Sequence, residues 1–125
     1  MIKPEVMIVD DEAAIRSYVV TLLSTKGMSA LAVESGADCL AALESGFRGV
    51  ILVDLNMPGL SGWETITAIN DRGLLSDNII IILTGMGEAD PPTRELSALV
   101  TDYVSKPFNG LELAESIEGY LAFLA

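Results

Sequence analysis

Apolar residues in this chain fall into five short runs, and each run is followed by a stretch in which they recur at helical spacing. The runs cover 5–9, 28–33, 49–54, 79–83 and 102–105. Those at 49–54 and 79–83 are unbroken and rich in β-branched residues, without the polar alternation of a half-exposed strand. Such a run predicts a strand covered on both faces, as in a parallel sheet. The runs at 28–33 and 102–105 are weaker and shorter.

The intervening stretches read as helices. Ile15, Tyr18, Val19, Leu22 and Leu23 share one face, and Gly27 stands where that helix stops. Ser35 caps a second helix, with Leu40, Ala41 and Leu43 inward and Gly46 after its end. Ser61 and Glu64 form a capping box for a third, whose inner face is Trp63, Ile66 and Ile69. A short fourth helix is expected over 91–99, capped by Asp90, with Pro91 and Pro92 in its first turn. Asn109 and Glu112 make a capping box for the last, which turns Leu113, Ala114, Ile117, Leu121 and Leu124 inward. Five strand–helix alternations with short connections imply an α/β fold: a doubly wound five-stranded parallel sheet with five helices on both faces. Right-handed crossovers leave few topologies, and the flavodoxin-like order 2-1-3-4-5 is the expected one. No repeat or linker divides the chain, so residues 1–125 read as one domain.

Composition narrows the function. Half of the 125 residues are apolar, enough to bury a core without staples. The single cysteine, Cys39, excludes an internal disulfide, fits a reducing compartment and reads as a small buried residue on a helix. No apolar run reaches the length of a membrane span and no signal peptide is visible, so a cytoplasmic protein without membrane contact is expected. A formal net charge of −11 repels a phosphate backbone and attracts cations and basic surfaces. Nucleic acid is therefore not an expected ligand of this domain. The absence of histidine rules out Ser-His-Asp and Cys-His catalysis, histidine metal sites and a phosphohistidine carrier.

The candidate chemistry lies at the strand ends. In a parallel sheet all carboxyl ends share one edge. Asp10 and Asp11 leave the first strand, Asp54 the third, Thr84 the fourth and Lys106 the fifth. Asp54 alone could be a turn residue. In the expected order, however, the first and third strands are neighbours, and three aspartates converge. Clustered carboxylates repel one another and burial raises their pKa values. A hard divalent cation relieves this, Mg²⁺ preferring a few carboxylates, a carbonyl and several waters; Mn²⁺ is expected to substitute.

These motifs together resemble the CheY-like response-regulator receiver domains, over essentially the whole chain. The matching pieces are Asp10-Asp11, the run Asp54-Leu55-Asn56-Met57-Pro58-Gly59 with Gly62 beyond it, Thr84-Gly85, and Tyr103-Val104-Ser105-Lys106-Pro107-Phe108. The resemblance implies two-component signalling, with Asp54 accepting a phosphoryl group from a sensor histidine kinase or a histidine phosphotransfer protein. It implies Mg²⁺ ligation by Asp10, Asp11, Asp54 and the Asn56 backbone carbonyl, with Lys106 and Thr84 binding phosphoryl oxygens. It implies a cis Lys106-Pro107 peptide, a switch made of Thr84 and Tyr103, and tuning of the phosphoryl lifetime by Asn56 and Met86. The sequence departs from the family pattern at 90–102, where the fourth helix is usually longer and alanine-rich. That segment belongs to the family's usual output face.

Other classes are weighed by single residues. A Mg²⁺-dependent phosphohydrolase with an aspartate nucleophile typically carries a second acid two residues on, where Asn56 stands here. Turnover of external substrate is therefore not expected. A flavodoxin must cradle a phosphate in its first loop, where Asp10-Asp11-Glu12 would repel one. A receiver-like docking module used without phosphorylation would not need the full set of chemical residues.

Overall fold

The computed structural model describes residues 3–85 and 91–125. Five strands, β1 Val6–Val9, β2 Ala30–Val33, β3 Val50–Asp54, β4 Ile79–Thr84 and β5 Asp102–Ser105, alternate with five helices. These are α1 Ala13–Thr25, α2 Gly36–Glu44, α3 Gly62–Asp71, α4 Arg94–Ala98 and α5 Gly110–Leu124. The strands pair in parallel in the order β2-β1-β3-β4-β5, as expected.

Strand alternation sorts the core into two layers. Met7, Val9, Ile51, Val53, Ile80 and Ile82 point to one face, where α2 and α3 supply Cys39, Leu40, Leu43, Ile66 and Ile69. Val6, Ile8, Val50, Leu52, Ile81 and Leu83 point to the other, under Val19 and Leu23 of α1 and Leu113, Ala114 and Ile117 of α5. Every residue of β1, β3 and β4 is buried, while the edge strands β2 and β5 are only partly covered. That difference explains why the two weaker runs in the sequence are the edges. Cys39 lies in the first layer, and burial pushes its thiol up to about 12. A thiol held that far from its thiolate is unreactive. Ellman's reagent is therefore expected to label Cys39 only as the protein unfolds; rapid labelling of the folded protein would contradict this packing.

The helix signals hold with four corrections. Ser35 and Ser61 cap α2 and α3 as expected, and Ser61 with Glu64 completes the reciprocal box. Gly27 (φ +79°) and Gly46 (φ +111°) follow the ends of α1 and α2 in the left-handed conformation that ends helices. Ala41 is exposed; Ala42 packs against the core in its place. Tyr18 remains half-exposed, its ring tilted against Phe108 at 5.9 Å. At α5 the Asn109 side chain accepts from the Glu112 N–H at 3.0 Å, but among the described residues the return bond from Glu112 is not formed. The fourth helix is shorter than 91–99, running over Arg94–Ala98 with Thr93 as its cap. Pro92 forces Pro91 out of the helical region, and the Thr93 hydroxyl, accepting from the Leu96 N–H at 3.1 Å, can do what a proline cannot. Asp90, expected as that cap, lies outside the described residues.

Among the described residues, no helix is long and apolar enough to cross a membrane.

Candidate functional site

The carboxyl ends of β1, β3 and β5 bring four side chains together. Asp10 follows β1 directly and is fully buried; Asp54 ends β3 and is 4% exposed; Asp11 is exposed. One carboxylate oxygen from each of the three lies within 4.8 Å of the others. Lys106, just after β5, reaches into this group. Its Nζ donates to Asp10 Oδ2 at 2.9 Å and stands 3.5 Å from Asp54 Oδ1 and 3.8 Å from Glu12 Oε1. The Lys106-Pro107 peptide is cis, as the resemblance implied.

Backbone groups complete the arrangement. The Glu12 N–H donates to Asp10 Oδ1 at 2.9 Å, and the Asn56 N–H to Asp54 Oδ1 at 3.3 Å. Arg16 Nη1 donates to the Asp10 carbonyl at 2.8 Å, anchoring the turn from β1 into α1. The first turn of α3 rests on the peptide that carries Asp54. Gly62 N–H donates to the Leu55 carbonyl at 3.0 Å, and a Cβ at Gly62 would lie only 2.6 Å from the Asp54 carbonyl oxygen. A side chain there would displace the backbone of Asp54 itself.

The electrostatics follow from burial and proximity. Burial first, and then the neighbouring Asp10 carboxylate, push Asp54 up to about 6, against the opposing pull of Lys106 and the Asn56 N–H. Burial works to lower Lys106, but its hydrogen bond to Asp10 and the charges of Asp10, Asp54 and Glu12 outweigh it and raise the ammonium above its ordinary value. One lysine thus faces three acidic groups, Asp10, Asp54 and Glu12. Convergent carboxylates whose burial and mutual repulsion disfavour the charge fit a small hard dication, which would neutralise them.

Of the remaining candidates, Thr84, Asn56 and Tyr103 are among the described residues. Thr84 ends β4, is 3% exposed, and its hydroxyl donates to the Gly85 carbonyl at 2.9 Å. Its carbonyl accepts from the Lys106 N–H at 2.8 Å, tying the ends of β4 and β5 together. Tyr103 on β5 is 38% exposed and packs instead against Trp63 of α3. Asn56 is exposed beside Asp54. Met86 lies outside the described residues. Sequence reasoning missed Arg16 and took Glu12 only as part of an acidic loop that repels phosphate, without its ion pair to Lys106. The available signal was that a helix starting two residues after Asp11 keeps positions 12 and 16 near the strand end.

Comparison with known proteins agrees with this geometry. The family model for the response regulator receiver domain matches residues 6–118. The phosphate regulon transcriptional regulatory protein PhoB of Pseudomonas aeruginosa is 33% identical over 121 residues, covering 97% of this chain and 53% of PhoB. The transcriptional regulatory protein FixJ of Azorhizobium caulinodans is 30% identical over 119 residues, covering 93% of this chain and 54% of FixJ. The chain spans about half the length of the curated relatives it matches. Among solved structures, a CheY-like response regulator receiver domain protein from Methanospirillum hungatei superposes with a TM-score of 0.92 at 40% identity, covering 97% of this chain and 96% of that one.

Proposed function

This chain belongs to the response regulator receiver domain family, and from that premise we propose that Asp54 is its phosphoacceptor, served by Asp10, Asp11, Lys106 and Thr84. The carrying observation is the convergence of three carboxylates and one lysine at the sheet edge, with Asp54 buried among them. An Asp54 carboxylate oxygen attacks the phosphorus of a phosphohistidine. The P–N bond breaks, its electron pair stays on the imidazole nitrogen, and an acyl phosphate forms on Asp54. Mg²⁺, or Mn²⁺ in its place, held by Asp10, Asp11, Asp54 and the Asn56 carbonyl, would neutralise the charge of the carboxylates and the incoming phosphoryl oxygens. Lys106 is already aimed at the pocket by Asp10 and would pair with a phosphoryl oxygen. Before transfer, Lys106 holds the Asp10 carboxylate and the Asn56 N–H holds that of Asp54.

The donor in this reading is a sensor histidine kinase or a histidine phosphotransfer protein, acting in the cytoplasm on a single receiver unit spanning 1–125. The Thr84 hydroxyl would leave the Gly85 carbonyl for the phosphoryl group, and Tyr103 would move with it, remodelling the surface around β5. By the family resemblance, Asn56 and Met86 would flank the approach of the hydrolytic water and set the lifetime. PhoB and FixJ carry names of transcriptional regulators, and a transcriptional output is proposed by that likeness. The domain is not itself a substrate-turnover enzyme.

Incubation with acetyl phosphate and Mg²⁺ is expected to add one phosphoryl group, seen by mass spectrometry, that base and hydroxylamine remove. Chelation of the metal should suppress the reaction. A base-stable adduct mapped to a serine or threonine would sink the assignment.

A further inference from the structure

Tyr103 is held by a residue outside the phosphoryl-binding set. Its ring centroid lies 6.5 Å from that of Trp63, with the planes inclined at 53°, a tilted aromatic contact. Trp63 is well placed to act as a fixed support. It is half-buried and packs on its inner side against the apolar layer under α2 and α3. It also follows Gly62, whose N–H bonds the Leu55 carbonyl and which leaves no room for a side chain beside the Asp54 carbonyl. The ring that meets Tyr103 is thus anchored to the same peptide that presents Asp54. No residue of the short α4 is fully buried; its Leu96 is half-buried against the same apolar layer as Trp63. Tyr103 is also tied at its backbone: its N–H donates to Asp102 Oδ1 at 2.8 Å, and Asp102 Oδ2 accepts from the Tyr120 hydroxyl of α5 at 2.9 Å. With the backbone restrained, the ring is the part left to move.

From this we infer that Trp63 is a positioning residue for the switch: it stabilises Tyr103 in the arrangement where the Thr84 hydroxyl bonds Gly85, and so sets how much phosphoryl binding is needed to move it. The inference rests on the switch reading given above. A contact present in one of two states biases the equilibrium toward that state, and removing it makes the other easier to reach. Trp63 opposes the switch, and Trp63→Ala should favour it.

The test is a titration of the wild-type and variant domains with beryllofluoride in saturating Mg²⁺, read by ¹⁹F NMR of the bound fluoride and of fluorotyrosine at Tyr103. Trp63→Ala is expected to lower the half-saturating mimic concentration by roughly two- to tenfold, the worth of one aromatic pair. Trp63→Phe, which keeps a ring, should lie nearer the wild type. The same Trp63→Ala change made in a Tyr103→Ala background should have no further effect on half-saturation, although its effect on melting temperature should persist. A purely structural tryptophan would shift half-saturation equally in both backgrounds, and that result overturns the inference. So does an unchanged half-saturation in Trp63→Ala or, should that variant not fold, in Trp63→Leu. If the wild type binds the mimic and the Tyr103 resonance does not move at all, the switch reading itself fails and this inference with it. If the resonance moves but Trp63 has no influence, only this inference fails.

Discussion

Asp54→Asn is expected to do two opposite things: abolish phosphoryl acceptance and stabilise the metal-free protein at neutral pH. The first follows from losing the nucleophilic oxygen. The second follows from the carboxylate's surroundings. Asp54 is 4% exposed and sits beside Asp10, and its pKa is raised from 3.8 to about 6. A carboxyl group raised in the folded state binds its proton more tightly there than in the unfolded chain. This group's contribution to folding stability is therefore highest below about pH 4, falls as pH rises from about 4 to 6, and stays reduced above that. At 1.36 kcal/mol per pKa unit the cost at neutral pH is on the order of 1–3 kcal/mol. Denaturant melts in EDTA should show the Asp54→Asn variant more stable than wild type at pH 7.5 and the difference vanishing near pH 4. Mg²⁺ should close the gap by stabilising the wild type through mass action. A wild type that is flat with pH between 4 and 7 would contradict the buried, coupled environment of Asp54.

Lys106→Met should strongly destabilise the metal-free protein. The lysine is the cation facing Asp10 at 2.9 Å and Asp54 at 3.5 Å, and its side chain is only 19% exposed. Methionine keeps the apolar stem and removes the charge. Asp10 and Asp54 would then be two buried carboxylates without that counter-charge. Removing one partner of a buried ion pair typically costs about 3–5 kcal/mol, and a loss on the order of 3 kcal/mol in EDTA at pH 7.5 is expected. The direction of rescue identifies the cause. Acid should restore stability by protonating Asp54, and Mg²⁺ should restore it by replacing the missing charge. A loss of the same size at all pH values and unaffected by Mg²⁺ would indicate damaged packing around Pro107 and Phe108 instead. With Mg²⁺ present and the fold intact, the variant should still accept a phosphoryl group on Asp54 but respond weakly at Tyr103, since Lys106 no longer pairs with the phosphoryl oxygen.

Much of this protein is written in local sequence. The unbroken run ending at Asp54 reads as a buried parallel strand, because it is short, β-branched and bounded by Gly49 and Pro58, and a strand covered on both faces places Val50, Ile51, Leu52 and Val53 out of water. The caps Ser35 and Ser61 and the left-handed Gly27 and Gly46 mark helix ends through short-range hydrogen bonding and sterics. Once the strand order follows, the meeting of Asp10, Asp11, Asp54 and Lys106 is a consequence of topology. Other features needed the tertiary structure. Prolines at 91 and 92 fit a first turn by composition, yet their mutual sterics and the Thr93 hydroxyl move the start of α4 to Arg94. Lys106 could be placed at the pocket, but that it bonds Asp10 more closely than Asp54 depends on side-chain depth, which spacing does not encode. The anchoring of Arg16 on the Asp10 carbonyl, the packing of Gly62 on the Asp54 peptide and the meeting of Trp63 with Tyr103 join residues far apart in type or in sequence. Hydrophobic period and capping report which face of an element is buried; which side chains then touch is decided only when the faces pack together.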